Sequence, residues 1–222
     1  MSERDIVQRL LVRAHQLPRA PVRLDRVFDM AGAALALVFL APLLILVSLL
    51  LVVEGRGPVI FAHPRIGRGG RVFKVLKFRS MVTDGDSVLR EHLAASPRAA
   101  AEWAADHKLR DDPRVTRLGG FLRKTSLDEL PQFWNVLCGD MSIVGPRPIV
   151  EAEVSRYGRF FSAYCSIRPG ITGVWQVSGR NDITYRRRVA MDALYARRKS
   201  VLLDIEIIMA TVPAVLARKG SY

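Results

Sequence analysis

The hydrophobic pattern divides the chain into one long apolar block and a basic remainder. Residues 30–53 carry no charged side chain, Ser48 is their one polar side chain, and Pro42 lies near the middle. As a helix rising about 1.5 Å per residue, this block is long enough for a hydrocarbon layer of about 30 Å. A buried core helix of that length without a charge would be unusual in so small a protein. A cleaved leader would start earlier and end in small residues. The block is therefore expected to be embedded in a membrane. Basic residues flank it on both sides: Arg4, Arg9, Arg13, Arg19, Arg23 and Arg26 before it, and Arg56, Arg65, Arg68, Arg71, Lys74, Lys77 and Arg79 after it. A spanning helix is oriented by asymmetry between its basic flanks; with almost none here, both ends are expected on the cytoplasmic side. Pro42 removes a helical hydrogen bond at the centre. A bent helix entering and leaving the same leaflet satisfies both features, and a simple anchor kinked at Pro42 is the alternative.

Past the block, residues 59–62 and 72–78 are short β-rich runs around Ile66-Gly67-Arg68-Gly69-Gly70, the pattern of a hairpin with a basic turn. Residues 88–108 are Ala-rich and suit one or two solvated helices interrupted near Ser96-Pro97. Residues 130–137 are an apolar run, residues 151–167 read as helix, and residues 171–177 as a short strand. Residues 185–219 read as helix again. Within them, residues 201–216 are strongly apolar but contain Asp204, Glu206 and Pro213, which suits an interfacial or core helix better than a spanning one. The expected fold is mainly α with a small β-hairpin, a membrane-embedded re-entrant N-terminal helix and interfacial amphipathic helices. It divides into a basic segment (1–29), the membrane helix (30–53) and a cytoplasmic domain (54–222).

Charge sharpens this picture. The 222 residues include 34 Lys+Arg against 21 Asp+Glu, a net charge of +13, beside a slightly positive mean hydropathy of +0.14. That combination excludes a disordered acidic tail, a disulfide scaffold and an ordinary soluble enzyme of balanced charge. Cys138 and Cys165 lack CxxC spacing, and the four histidines are scattered without a zinc-type pair. The basic excess calls for an anionic partner. Anionic lipid headgroups attract juxtamembrane cations by about 1 kcal/mol each. Nucleic acid is not expected, because no aromatic-basic recognition pattern accompanies the charge. Phosphates held by arginines on constrained loops are the third option.

Several residues suit that option. Lys77 and Arg79 share one strand face, Arg123 precedes Asp128 by five residues, and Arg147 is fixed between Pro146 and Pro148. Asp128-Glu129 reads two ways. Ser126 and Glu129 have capping-box spacing, which would make both acids helix-start residues. Alternatively, an aspartate there can attack phosphorus, and paired carboxylates can hold Mg²⁺ against phosphate oxygens.

Lys77-Phe78-Arg79-Ser80-Met81, Asp112-Pro113-Arg114-Val115-Thr116 and Ser126-Leu127-Asp128-Glu129-Leu130-Pro131-Gln132 together resemble a known family. So do residues 139–148, which end in Gly145-Pro146-Arg147-Pro148, and Arg168-Pro169-Gly170-Ile171-Thr172-Gly173. The resemblance is to the bacterial sugar transferases that start lipid-linked glycan assembly, the monotopic polyprenyl-phosphate phosphoglycosyltransferases. It covers about residues 20–222 and is nearest to short exopolysaccharide-initiating galactose-1-phosphate transferases. One departure is Ala41 before Pro42, where the family more often has Ser.

The resemblance implies transfer of a sugar-1-phosphate, galactose before glucose, from a UDP-sugar to undecaprenyl phosphate, with release of UMP. Asp128 would be the covalent nucleophile. Asp128 and Glu129 would hold Mg²⁺. Lys77, Arg79, Arg123, Arg147, Arg180 and Asp192 would bind phosphate or substrate. The expected location is the bacterial inner membrane with the catalytic domain facing the cytoplasm, and a homodimer would be unsurprising. The rival readings are a UDP-releasing glycosyltransferase and a polybasic adaptor of a glycan-assembly complex.

Overall fold

The computed structural model describes residues 22–55, 57–106, 109, 111–179 and 183–216. Its longest element is α1, Val22–Glu54, which runs through Pro42 and takes in Asp25, Arg26 and Asp29 ahead of the apolar block. Ser48 returns its hydroxyl to the Leu44 carbonyl at 2.7 Å, so the block's one polar side chain is satisfied within the helix. Leu35, Val38, Phe39 and Ile45 are exposed, whereas Ala33, Val47 and Leu51 are buried. By length and composition the helix could cross a membrane, with a mean hydropathy of 3.1 over its most apolar 18 residues.

Both ends of α1 are tied to the same body. Near the start, Asp29 Oδ1 accepts from Ser142 Oγ and the Ile143 amide, both at 2.9 Å, and Arg26 donates to the Leu137 carbonyl at 3.0 Å. Ala33 packs with Val75, Val136 and Met141. At the far end, Val47 and Leu51 pack with Phe78 and Leu122, and Glu54 Oε1 accepts from the Leu118 amide at 3.2 Å.

The expected hairpin is present and longer than its apolar signal. Strands β1 (Ile60–Ile66) and β2 (Val72–Phe78) pair antiparallel, with Ile60 opposite Phe78 and Ile66 opposite Val72. Helices α2 (Gly85–Ala95) and α3 (Pro97–Asp106) break where Ser96-Pro97 predicts, and Ser96 Oγ accepts from the Ala99 amide at 3.2 Å. Helix α4 (Arg117–Thr125) starts under a true cap, Thr116, which accepts from the Gly119 amide at 2.9 Å. After α5 (Gln132–Cys138) comes β3 (Ser142–Val144).

The stretch expected as one helix over residues 151–167 is instead a series of short turns around α6 (Val154–Tyr157) and α7 (Phe161–Cys165). The physical cause is Gly158, whose φ of 47° and ψ of −127° cannot continue a helix. The strand expected over residues 171–177 is also shorter. Strand β4 (Gly170–Thr172) pairs parallel with β3 and then gives way to helix α8 (Val174–Val177). Strand β3 offers only three residues to pair with. The two chains meet backbone to backbone at Gly145, where a Cβ would lie 2.5 Å from the Arg168 carbonyl oxygen.

Helices α9 (Tyr185–Arg198) and α10 (Val201–Leu216) close the body. One core forms from Val144, Trp175, Met191, Leu203 and Ile207, and a second from Ile66, Tyr157, Tyr164 and Val189. Helix α10 buries Leu203 and Ile207 while Leu202, Ile205, Met209 and Val212 face outward, so it is apolar on both its buried and its exposed faces.

Candidate active site

A cleft of about 650 Å³ opens between these two cores, within the size range of small-molecule sites. Five cations line it, Arg65, Lys77, Arg123, Arg147 and Arg188, against three acids, Asp128, Glu129 and Glu153. The surplus of positive charge suits an anionic ligand.

Asp128 and Glu129 come from a 3-10 turn, Leu127–Glu129, that follows α4 directly. The turn is possible because Ser126 adopts a left-handed conformation, φ 58° and ψ 16°, and its amide closes α4 onto the Arg123 and Leu122 carbonyls. Among the described residues it is the one non-glycine residue with positive φ. Such a backbone costs on the order of 1 kcal/mol and persists where surrounding structure enforces it. This corrects the capping-box reading. A capping residue has extended backbone and lends its side chain to the helix start, whereas Ser126 ends a helix and makes no side-chain cap. Glu129 turns to the cleft instead.

There Lys77 Nζ lies 2.6 Å from Glu129 Oε1 and 3.5 Å from Asp128 Oδ2, and Arg147 Nη1 lies 3.6 Å from Glu129 Oε1. Glu129 therefore takes most of the cationic contact, and the ammonium touches Asp128 only loosely. Asp128 is buried, at 6% exposure. Burial pushes its pKa above the ordinary carboxylate value, ahead of the opposing pull of Lys77, and the Glu129 charge adds to the rise. Arg123 stands close enough to contribute a further lowering influence. The result is a partly desolvated carboxylate facing a cationic cleft, the kind of perturbed group that marks a candidate functional site.

Lys77, Arg123, Arg147, Asp128 and Glu129, named from sequence, thus converge in one cleft. Three other expectations fare differently. Arg79 does not reach the cleft. The strand ends at Phe78, and Arg79 turns its buried guanidinium to the end of α1, donating to the carbonyls of Leu51 at 2.6 Å, Gly55 at 3.1 Å and Pro58 at 3.2 Å. Its role is to close the helix C-terminus, where a cation also complements the dipole. Asp192 is also absent from the cleft wall. It is fully enclosed behind that wall, accepting from Tyr157 Oη at 2.8 Å, and burial raises its pKa to about 7. Arg180 lies outside the described residues.

Sequence reasoning missed Arg65 and Arg188. Arg65 sits on β1 and donates to the Pro148 carbonyl at 3.3 Å. Arg188 sits on α9, 4.6 Å over the Trp175 ring. The available signal for Arg65 was its place one strand across from Lys77; Arg188 had none beyond being one of three consecutive arginines.

The model of the family described as bacterial sugar transferase matches residues 21–218. The chain belongs to the bacterial sugar transferase family. Among its sugar transferase relatives, the UDP-galactose-lipid carrier transferase of Erwinia amylovora is 50% identical over 199 residues, covering 90% of this chain and 42% of that protein. The exopolysaccharide production protein ExoY of Sinorhizobium fredii is 50% identical over 197 residues, covering 89% of this chain and 87% of that protein. The undecaprenyl-phosphate galactose phosphotransferase of Salmonella typhimurium is 49% identical over 199 residues, covering 90% of this chain and again 42% of the relative. The chain thus spans less than half of the two longer sugar transferases and most of the rhizobial one.

Proposed function

We propose that the chain transfers a sugar-1-phosphate from a UDP-sugar to undecaprenyl phosphate, releasing UMP, as the first step of exopolysaccharide assembly. The observation that carries this reading is the buried, raised-pKa Asp128 beside Lys77, Arg123 and Arg147 in one cleft. Galactose is favoured over glucose because it is the sugar in the names of relatives near 50% identity.

An Asp128 carboxylate oxygen attacks the β-phosphorus of the donor, and UMP leaves. An oxygen of undecaprenyl phosphate then attacks the same phosphorus, and the Asp128 carboxylate departs. Both substrates present phosphate, so one cationic cleft can serve them in turn. Glu129 holds Lys77 and Arg147 in place around the reacting phosphate. Among the described residues no cluster of three or more metal-ligating side chains occurs. Mg²⁺ nevertheless commonly binds through one or two carboxylates plus substrate phosphates, and Asp128 with Glu129 fits that pattern, in competition with Lys77. When bound, the ion would neutralise charge on the diphosphate.

The reaction joins a water-soluble donor to a lipid acceptor, which suits a catalytic domain over residues 54–222 facing the cytoplasm on the bacterial inner membrane, with anionic lipids attracting its basic surface. The re-entrant reading of α1 is supported by the docking of both helix ends on one body, through Asp29 at one end and Arg79 at the other. A straight span would carry those ends to opposite sides. Cysteines introduced as Arg4→Cys and Arg68→Cys should both be labelled from the cytoplasmic side only; labelling on opposite sides would overturn the re-entrant reading.

The deciding experiment is nucleotide release. Detergent-solubilised protein with Mg²⁺, undecaprenyl phosphate and a panel of UDP-sugars should release UMP from one sugar, dependent on lipid and abolished by EDTA. UDP would indicate simple glycosyl transfer, and neither nucleotide from folded protein would indicate an adaptor.

A further inference from the structure

The five cleft cations are not equivalent. Lys77 is committed to the two carboxylates, and Arg147 reaches Glu129. Arg65 and Arg188 both neighbour Arg147, which is the strongest charged neighbour of each. Burial first, and then the Arg147 charge, lower both guanidinium groups from their ordinary value; an arginine stays charged through such a shift. Three like charges are therefore gathered in a half-buried corner. The acid nearest Arg65 is Glu153, and its carboxylate is 3.9 Å away, a loose contact, while also accepting from the Val150 amide at 3.0 Å. Such a gathering of like charges is unfavourable by itself and is relieved by an anion held among them.

The two outer arginines are also held in fixed orientations. Arg65 donates through Nη1 to the Pro148 carbonyl, next to Arg147 in sequence. Arg188 donates through Nε to the Ile183 carbonyl at 3.1 Å and lies over the Trp175 ring. Tyr157 lines the same corner, with buried Asp192 behind it as a charge neighbour of Arg188. Orienting contacts of this kind reduce the entropy lost when a guanidinium grips an oxyanion.

The walls differ in chemistry. The Arg65 side belongs to the core of Tyr157 and Tyr164 and adds Glu153 and Tyr185, all with polar atoms. The wall around Trp175, over which Arg188 lies, mixes Val177, Ala214 and Val215 with the polar side chains of Gln176 and Thr211.

We propose that Arg65 and Arg188 bind the phosphate of the departing nucleotide, the α-phosphate of the donor, while Lys77 and Arg123 flank the phosphorus under attack at Asp128. This rests on the phosphosugar-transfer reading above. In that step a bond forms between an Asp128 oxygen and the β-phosphorus, and the bond from that phosphorus to the bridging oxygen breaks. The electron pair goes to the bridging oxygen, which leaves on UMP with no proton transferred. Negative charge therefore grows on the α-phosphate as the bond breaks, and cations placed there favour the transition state over the bound donor.

The test compares UMP with uridine as inhibitors of turnover, since the two differ only in the phosphate. In Arg65→Gln and Arg188→Gln, UMP affinity should fall at least tenfold and kcat should fall with it, while uridine inhibition and the KM for undecaprenyl phosphate stay as in the wild type. Arg65→Lys and Arg188→Lys should recover part of the UMP affinity by restoring the charge. If a Gln variant does not fold, its Lys counterpart is measured the same way, and an intermediate loss of UMP affinity with unchanged uridine is expected. Equal losses for UMP and uridine would overturn the assignment in favour of a structural role. Unchanged UMP affinity with a raised KM for undecaprenyl phosphate would assign these arginines to the lipid phosphate instead. Release of UDP by the wild type would sink the underlying reaction, whereas UMP release with unaltered UMP affinity in the variants would sink only this subsite.

Discussion

Asp128→Asn should lower lipid-dependent UMP release by about 10⁴-fold, the scale of loss when a covalent nucleophile is removed. Asparagine keeps the shape of the 3-10 turn and leaves Lys77 its shorter contact, to Glu129 at 2.6 Å. The fold should survive. A carboxylate whose pKa is raised on folding contributes its full stability below its unfolded value and loses that contribution as pH rises through the folded value. At neutral pH the ionised group is therefore a burden, and the Asn variant should melt at the same temperature as the wild type or higher. The same raised pKa shapes the wild-type pH profile. The nucleophile must be ionised, so kcat/KM should fall on the acid side at a pH above that of an ordinary exposed carboxylate, about 4. An Asn variant with full turnover would remove Asp128 from the role of nucleophile, as would an acid limb at the ordinary carboxylate position.

Arg79→Ala has the largest expected effect on stability, a loss of about 3 kcal/mol, because it deletes a buried cation and strands the carbonyls it served. Lysine should recover only a small part, since a single ammonium does not reproduce a planar fork that reaches Leu51, Gly55 and Pro58 together. Thermal unfolding in detergent is the readout, with the KM for the sugar nucleotide measured alongside. An unchanged melting temperature with a raised donor KM would restore Arg79 to the phosphate-binding set.

These two residues mark what the sequence could and could not reveal. Asp128 was legible because its neighbours in the chain are its neighbours in space: Glu129 follows it directly, Arg123 precedes it by five residues, and only Lys77 and Arg147 had to be brought in. The hairpin and the Ser96-Pro97 break were legible for the same local reason. Arg79 was misread because strand alternation places it with Lys77, yet the strand ends at Phe78 and the side chain is claimed by a helix end far away in sequence. Arg188 gains its meaning only from the Trp175 ring and Arg147, contributed by other parts of the chain. Ser126 shows the opposite failure. Its spacing to Glu129 obeys a helix-start rule, but the preceding helix Arg117–Thr125 uses it as an end.

Lys77, on the two cleft carboxylates, and Arg79, on the end of the apolar helix, are two residues apart in one nearly extended stretch, about 7 Å of chain. Nothing elastic separates them. If the helix is immersed as proposed, its depth sets the altitude of Asp128, like a float carrying a plumb line. A bilayer that lifted or sank the helix would move Asp128 by nearly the same amount relative to the plane where lipid phosphates lie. The short link thus makes reaction height a property of the anchor itself.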